Sequence, residues 1–324
     1  MSETILVTQV EYGKGEQVFR TAADFRIEPA PPEEQALADA VLAAKARAVI
    51  VGVHPYSGPL YTALATIAAG RGAIIARFGV GHDSVDKRLA AEHGITVTNT
   101  PGVLDQSVAE HALWLMGNLA RRITLCQENL RAGRFQGPSG IELGAKTLGV
   151  LGCGAIGRRV ARIAHFGLGM RVIAADQRPL ESLAAELGLD RSTHDCDLVL
   201  RESDVVSIHL PATTATRHFI DRRRLALMRP SAFLVNTARG ILIDEAALYD
   251  ALSSGSIAGA ALDVYETEPY APVQPDKDLR RLENTVLTPH IGSNTLEANR
   301  RMAEASLACV TDFLAGRRER LTPV

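Results

Sequence analysis

The sequence predicts an α/β protein made of two doubly wound, parallel-sheet domains. Three observations predict it. A length of 324 residues with 46% hydrophobic content can fill two ordinary cores. Short β-branched runs alternate with alanine-rich helical stretches along nearly the whole chain, and strands joined by helical crossovers must run parallel. Between two such series lies the glycine turn Gly152-Cys-Gly-Ala-Ile-Gly157, with an apolar run on either side of it.

The first series opens at Ile5 to Val7, a short apolar strand, followed by a helical stretch from Pro32 to Ala46 and a strand from Ala48 to Val53. Pro59 to Ala69 reads as helix, Ala73 to Ala76 as strand, Val85 to His93 as helix closed by Gly94, and Ile95 to Thr98 as strand. The loop Arg77-Phe-Gly-Val-Gly-His-Asp-Ser-Val85 follows a strand's carboxyl end, which is where open α/β sheets bind ligands. Pro101 and Gly102 then interrupt regular structure. Ser107-Val-Ala-Glu110 has the form of a capping box for a long helix running to about Arg131. Apolar residues fall on more than one face of that helix, so it needs cover on several sides, from its own domain and from a second subunit; Trp114 is expected in the core.

The central stretch reads strand, turn, helix, second strand, acid. Leu148 to Leu151 form a buried strand, Gly152 turns the chain, Gly154 lets backbone N–H groups approach a pyrophosphate, and Gly157 brings helix and sheet together. Asp176 lies nineteen positions beyond Gly157, the spacing expected of a carboxylate that hydrogen-bonds a ribose diol. A dinucleotide is the ligand this order suits. The second series continues with strands at Val205 to Leu210, Ala232 to Asn236, Ala258 to Val264 and Thr285 to Leu287, and with helices at Asp244 to Leu252 and Thr295 to Leu314. Arg222-Arg-Arg224 reads as the solvated face of a further helix.

Composition narrows the partners. A net charge of -2 offers nothing to a polyanion, so nucleic acid is not expected. No apolar run approaches a membrane span, and Met1 to Thr8 has neither the basic segment nor the apolar core of a signal peptide. Cys126, Cys153, Cys196 and Cys309 lie far apart without a C-x-x-C pair, so neither a metal site nor a disulfide framework is expected, and a reducing cytoplasm is the expected location. Cys153 reads as a small packing residue.

Four residues at or beyond strand ends of the second series have the chemistry of a site: Arg239, Asp263, Glu268 and His290. An arginine fork holds a carboxylate with two parallel hydrogen bonds, and a histidine exchanges a proton near neutral pH. Asp263, after an apolar run, needs a partner, and Glu268 can orient the histidine. With a nicotinamide, this set suits interconversion of a 2-hydroxy acid and a 2-oxo acid.

Over nearly its whole length the chain resembles the D-isomer-specific 2-hydroxyacid dehydrogenases. The matching motifs are Phe78-Gly-Val-Gly81, Asn99-Thr-Pro-Gly102, Ser107-Val-Ala-Glu110, the glycine turn, Asn236-Thr-Ala-Arg-Gly240, Ala261-Leu-Asp-Val264, Glu268-Pro269 and Pro289-His-Ile-Gly-Ser293. The resemblance implies that Arg239 binds and polarises substrate, that His290 is the acid/base and that Glu268 pairs with its imidazole. It further implies that Gly79, Val80 and Gly81, with Phe78, receive the substrate carboxylate, and that Ala155 and Ile156 donate N–H groups to the pyrophosphate. Asp263 would face the nicotinamide carboxamide, and His209, Pro211, Ala238 and Gly292 would complete the cofactor contacts. A flavodoxin-like substrate domain (residues 1-100 and 294-324) would carry an inserted Rossmann domain (101-293), with hinges near Thr100 and Ser293. A homodimer through the helix following Ser107 is implied as well.

Asp176 favours NAD over NADP, since its charge repels a 2'-phosphate; Arg178 partly offsets that repulsion. His54 and Tyr56, after a first-domain strand, are expected to contribute to substrate specificity. Arg77, Lys87 and Arg88 are the cations available should the substrate be phosphorylated, which leaves phosphoglycerate dehydrogenase and hydroxypyruvate or glyoxylate reductase as competing readings. An NAD(H)-sensing corepressor-like protein and a formate or phosphonate dehydrogenase are the readings outside that class.

Overall fold

The computed structural model describes residues 3–324. Met1 and Ser2, which begin the segment read as a first strand without a signal peptide, lie outside the described residues. The chain forms two compact units, one of Met1–Leu104 with Asn294–Val324 and the other of Asp105–Ser293.

The first unit holds β1 (Thr4–Thr8), β2 (Arg26–Ala30), β3 (Ala48–Val51), β4 (Ala73–Arg77) and β5 (Ile95–Thr98). They form one parallel sheet in the order β2-β1-β3-β4-β5, the flavodoxin-type doubly wound arrangement. Leu37 and Val41 of helix Glu34–Ala44, with Leu60 and Leu64 of helix Pro59–Ala68, pack against Val49, Val51 and Ile75 in one apolar core. Helix Leu296–Leu314 packs on β3 and β4, and Thr295 caps it by accepting from Ala298 N–H at 3.1 Å. β2 was not foreseen. It is an edge strand with a mostly solvated burial pattern and a proline, Pro29, so it lacks the apolar signature of its neighbours.

The second unit holds β6 (Thr147–Leu151), β7 (Arg171–Ala175), β8 (Arg191–Thr193), β9 (Val205–Ile208), β10 (Phe233–Asn236), β11 (Gly259–Leu262) and β12 (Thr285–Leu287). All are parallel, in the order β12-β11-β10-β9-β6-β7-β8. Strand order reverses between β6 and β9, which opens a crevice at their carboxyl ends. β8 escaped the sequence reading because its three residues include no apolar side chain.

Three expectations for the helix after Pro101 are corrected. The helix begins at Asp105, so Ser107 lies inside its first turn and not at its cap. It ends at Arg121: Arg122 takes φ +50°, and a second helix runs Ile123–Arg131. Asn118 makes the break, accepting from Thr124 N–H at 3.0 Å and donating to Thr124 Oγ1 at 2.8 Å. Trp114 is 73% exposed and not a core residue, while Leu113, Met116 and Leu119 beside it are buried. Among the described residues, no helix is long and apolar enough to cross a membrane.

Candidate active site

β6 delivers the chain to a turn that only glycine can make. Gly152 has φ +90°, and a Cβ on it would lie 2.6 Å from the carbonyl oxygen of His209. A Cβ on Gly157 would lie 2.1 Å from the carbonyl oxygen of Gly152, so the helix Ala155–Leu168 can approach β6 only because that atom is missing. Gly154, the N-cap, faces open space and has no side chain to occupy the helix's first N–H groups. An uncovered positive helix end beside a glycine cradle fits a pyrophosphate, and the residues present therefore fit a dinucleotide. Cys153 is fully buried, and burial raises its thiol pKa to about 11, which makes it a packing residue.

Asp176 follows β7. Its Oδ2 accepts from Cys153 N–H at 2.7 Å, and its Oδ1 accepts from Arg178 N–H at 2.9 Å and Arg178 Nε at 3.0 Å. Burial pushes its pKa up, but the bonds from Arg178 and Cys153 outweigh this and hold it at about 2. His209, after β9, contacts Ser207 Oγ through Nε2 at 2.9 Å, and burial lowers its pKa to about 4, so the ring is neutral near neutral pH. Pro211 is exposed and Ala238 half-buried.

The chemistry-bearing residues of β10, β11 and β12 collect at one edge because those strands are neighbours in register. Asn236 ends β10 and shapes the next turn, donating from Nδ2 to Arg239 O at 2.8 Å and accepting from Ala238 N–H at 3.0 Å. Arg239 Nη1 donates to Ala238 O at 2.6 Å. Gly240 allows the Tyr265–Glu266 backbone to pass, since a Cβ there would lie 1.8 Å from the carbonyl carbon of Tyr265.

Asp263, just past β11, is 1% exposed. Its Oδ1 accepts from Thr288 Oγ1 at 2.6 Å and Ile291 N–H at 2.9 Å, and its Oδ2 accepts from Gly292 N–H at 2.7 Å. His111 Nε2 stands 3.3 Å from Oδ1 and 3.1 Å from Thr288 Oγ1. Burial opposes the charge, but His111, Thr288 and Ile291 overcome it and keep the carboxyl ionised below its usual range. This carboxylate therefore clamps the loop that carries His290. The histidine itself has φ +53°, a conformation that side-chain-bearing residues seldom adopt, and its N–H donates to Asp263 O at 2.8 Å.

His290 Nδ1 lies 2.6 Å from Glu268 Oε2, and both side chains are about one-third exposed. Glu268 is held in turn, since its Oε1 accepts from Tyr265 N–H at 3.0 Å, while Tyr265 Oη donates to Thr288 O at 3.0 Å. A carboxylate can only accept, so Nδ1 carries the proton and Nε2 is left to exchange one with a ligand. Sequence reasoning missed His111, Thr288 and Tyr265. They act on Asp263 and Glu268 across turns, with no spacing that a motif could reveal.

In the first unit, Gly79 has φ +141°, Thr100 N–H donates to Gly79 O at 3.0 Å, and Asn99 Nδ2 donates to Val80 O at 2.7 Å. Phe78 N–H donates to Val51 O at 2.9 Å and Gly79 N–H to Arg77 O at 3.0 Å, so Val80 and Gly81 carry the N–H groups that face a ligand. His54 is exposed. Tyr56 is not a ligand-facing residue: it is 1% exposed within the first core and donates to Pro32 O at 3.1 Å, which corrects the expectation that it selects substrate. Arg77 is buried and turned onto its neighbour's carbonyl, Phe78 O, and Arg88 pairs with Glu92 at 2.6 Å.

The chain is similar in sequence and fold to known proteins. Residues 113–292 match the family model described as "D-isomer specific 2-hydroxyacid dehydrogenase, NAD binding domain". A glyoxylate reductase of Korarchaeum cryptofilum is 42% identical over 237 residues, 71% of this chain and 70% of that protein. A hydroxypyruvate reductase of Thermotoga maritima is 44% identical over 236 residues, 71% of this chain and 73% of that protein. Among solved structures, an NADPH-dependent glyoxylate/hydroxypyruvate reductase of Sinorhizobium meliloti, in complex with NADP and malonate, superimposes with a TM-score of 0.84 at 28% identity. That match covers 100% of this chain and 97% of the other.

Proposed function

The chain belongs to the D-isomer-specific 2-hydroxyacid dehydrogenases, and from that premise we propose how its own residues divide the reaction. As a member of that family it is an oxidoreductase that uses a nicotinamide cofactor to interconvert a D-2-hydroxy acid and its 2-oxo acid. The bound nicotinamide supplies or accepts the hydride. Arg239 holds the substrate carboxylate and polarises the adjacent carbonyl. In reduction, His290 gives a proton from Nε2 to the carbonyl oxygen; in oxidation the neutral ring takes it back. Glu268 keeps the imidazole oriented and stabilises its charged form. Asp263 serves as the anchor of the His290 loop in addition to the expected contact with the carboxamide. The observation that carries this reading is the 2.6 Å contact between His290 Nδ1 and Glu268 Oε2.

We read the substrate as a small unphosphorylated 2-oxo acid of the glyoxylate or hydroxypyruvate kind. The relatives with those names support this, as do two of the three cations weighed for a phosphate, Arg77 bonded to the Phe78 carbonyl and Arg88 held by Glu92. His54, exposed after β3, is the remaining specificity candidate in that segment. Asp176 favours NAD. The relatives named for hydroxy-acid chemistry count against an NAD-sensing or formate-oxidising role. The test is NADH oxidation over glyoxylate, hydroxypyruvate, phosphohydroxypyruvate and pyruvate. Turnover is expected with the first two, and activity confined to the phosphorylated acid would refute the substrate reading.

We also read the protein as a cytoplasmic homodimer. Helix Ile123–Arg131 buries none of its residues, yet Ile123 is 54% exposed, Leu130 60% and the following Phe135 97%. With Trp114 they supply the apolar surface that a second copy would cover. The four cysteines are unpaired, as a reducing compartment allows.

A further inference from the structure

Asp176 has no acceptor position to spare. Besides the three bonds already described, Arg178 Nη2 donates to Oδ2 at 3.1 Å, so each oxygen accepts two hydrogen bonds. A carboxylate offers about four such positions. A ribose diol meeting this carboxylate must therefore displace a partner. Two of the partners are backbone N–H groups fixed by the turns that carry them. The other two belong to one guanidinium, whose side chain is 61% exposed against 10% for Asp176, so Arg178 is the partner that can leave.

Where it can go is also constrained. Arg178 Nη2 lies 3.4 Å from Cys153 O, and that carbonyl accepts from Arg158 Nε at 3.0 Å. His194 Nδ1 lies 2.7 Å from Asp176 O. One guanidinium thus pairs with the acid, a second shares the Cys153 carbonyl with it, and an imidazole meets the acid's own backbone carbonyl. A carboxylate alone would repel a 2'-phosphate; a carboxylate whose mobile counter-ion stays beside a second arginine has the means to neutralise one.

We propose that Arg178 sets specificity at the ribose end of the cofactor site: it competes with the ribose diol for Asp176 and, once displaced, joins Arg158 in binding a 2'-phosphate. NADP(H) is then a weaker second cofactor and not an excluded one. This rests on the reading that Gly152 to Gly157 and Asp176 hold the dinucleotide.

The test is binding, not turnover: fluorescence titration of the full chain with NADH and with NADPH, before and after Arg178→Ala. Removing the competitor should tighten NADH about two- to fivefold, as expected for loss of an exposed ion pair. Removing the cation should weaken NADPH about tenfold. Arg178→Lys, which keeps the charge but loses the fork, should also tighten NADH while holding NADPH within about threefold of the parent. NADH affinity that is unchanged or weaker in Arg178→Ala, or NADPH affinity that is unchanged or tighter, overturns the proposal while leaving the dinucleotide site intact. A parent protein that binds neither nucleotide overturns the site itself.

Discussion

At the scale of single residues, the proposed site has a few reacting groups and a larger number of groups that aim them. Arg239, Glu268 and His290, the proposed reacting groups, stand out in the sequence because each lies in a short motif beyond a strand. The residues that fix them do not. Asp263 was marked as needing a partner, yet its clamp on Thr288, Ile291 and Gly292 appears only once β11 and β12 are paired. Asp263→Ala leaves the buried Gly292 N–H, the part-buried Ile291 N–H and the Thr288 hydroxyl without their acceptor. It is expected to cost on the order of 3 kcal/mol by urea unfolding and to lower kcat as the left-handed His290 relaxes. Stability and kcat both equal to the parent's would refute the anchoring role. Glu268→Gln keeps the shape of the side chain but not its charge. A fall in kcat of about 10²-fold with little change in KM is expected, and a change confined to KM would assign Glu268 to binding instead.

At the scale of elements, the helix Glu245–Ser253 contains a second acidic device that no motif announced. Glu245 N–H donates to Glu266 Oε1 at 3.1 Å, Glu266 N–H donates to Glu245 Oε1 at 2.6 Å, and His218 Nε2 reaches Glu266 Oε2 at 2.8 Å. Burial first, then the nearby charges of Glu266 and Glu268, raise the Glu245 pKa from 4.5 to about 7. Between those values the folded protein keeps a proton that the unfolded chain has lost. The stabilisation is complete below pH 4.5 and disappears as pH rises through about 7. Glu245→Gln removes this dependence, so the variant should match the parent near pH 5 and exceed it near pH 8 by on the order of 2 kcal/mol. A parallel pair of Tm-against-pH curves would refute the assignment. Two strands that escaped sequence reading share a cause, and the helix break has another. β2 and β8 are edge strands with little apolar surface, and the helix break rests on a single side chain, Asn118.

At the scale of the whole molecule, the parallel order of both sheets was legible from the βα alternation, whereas the apolar surface left over was misread. The sequence places Trp114 in the core because an amphipathic pattern cannot distinguish a face buried inside its own unit from an apolar face left at the surface. Light scattering on the purified protein should give a mass near twice 34.7 kDa. Trp114→Glu combined with Leu130→Glu should halve it, and a parent protein that is monomeric at micromolar concentration would refute the dimer.

The central claim, that His290 moves the substrate proton and does not itself hold the cofactor, is tested most directly by His290→Asn. Turnover of glyoxylate or hydroxypyruvate should fall by about 10³-fold while NADH affinity stays within about twofold of the parent. Near-parental turnover, or loss of NADH binding along with turnover, would contradict it.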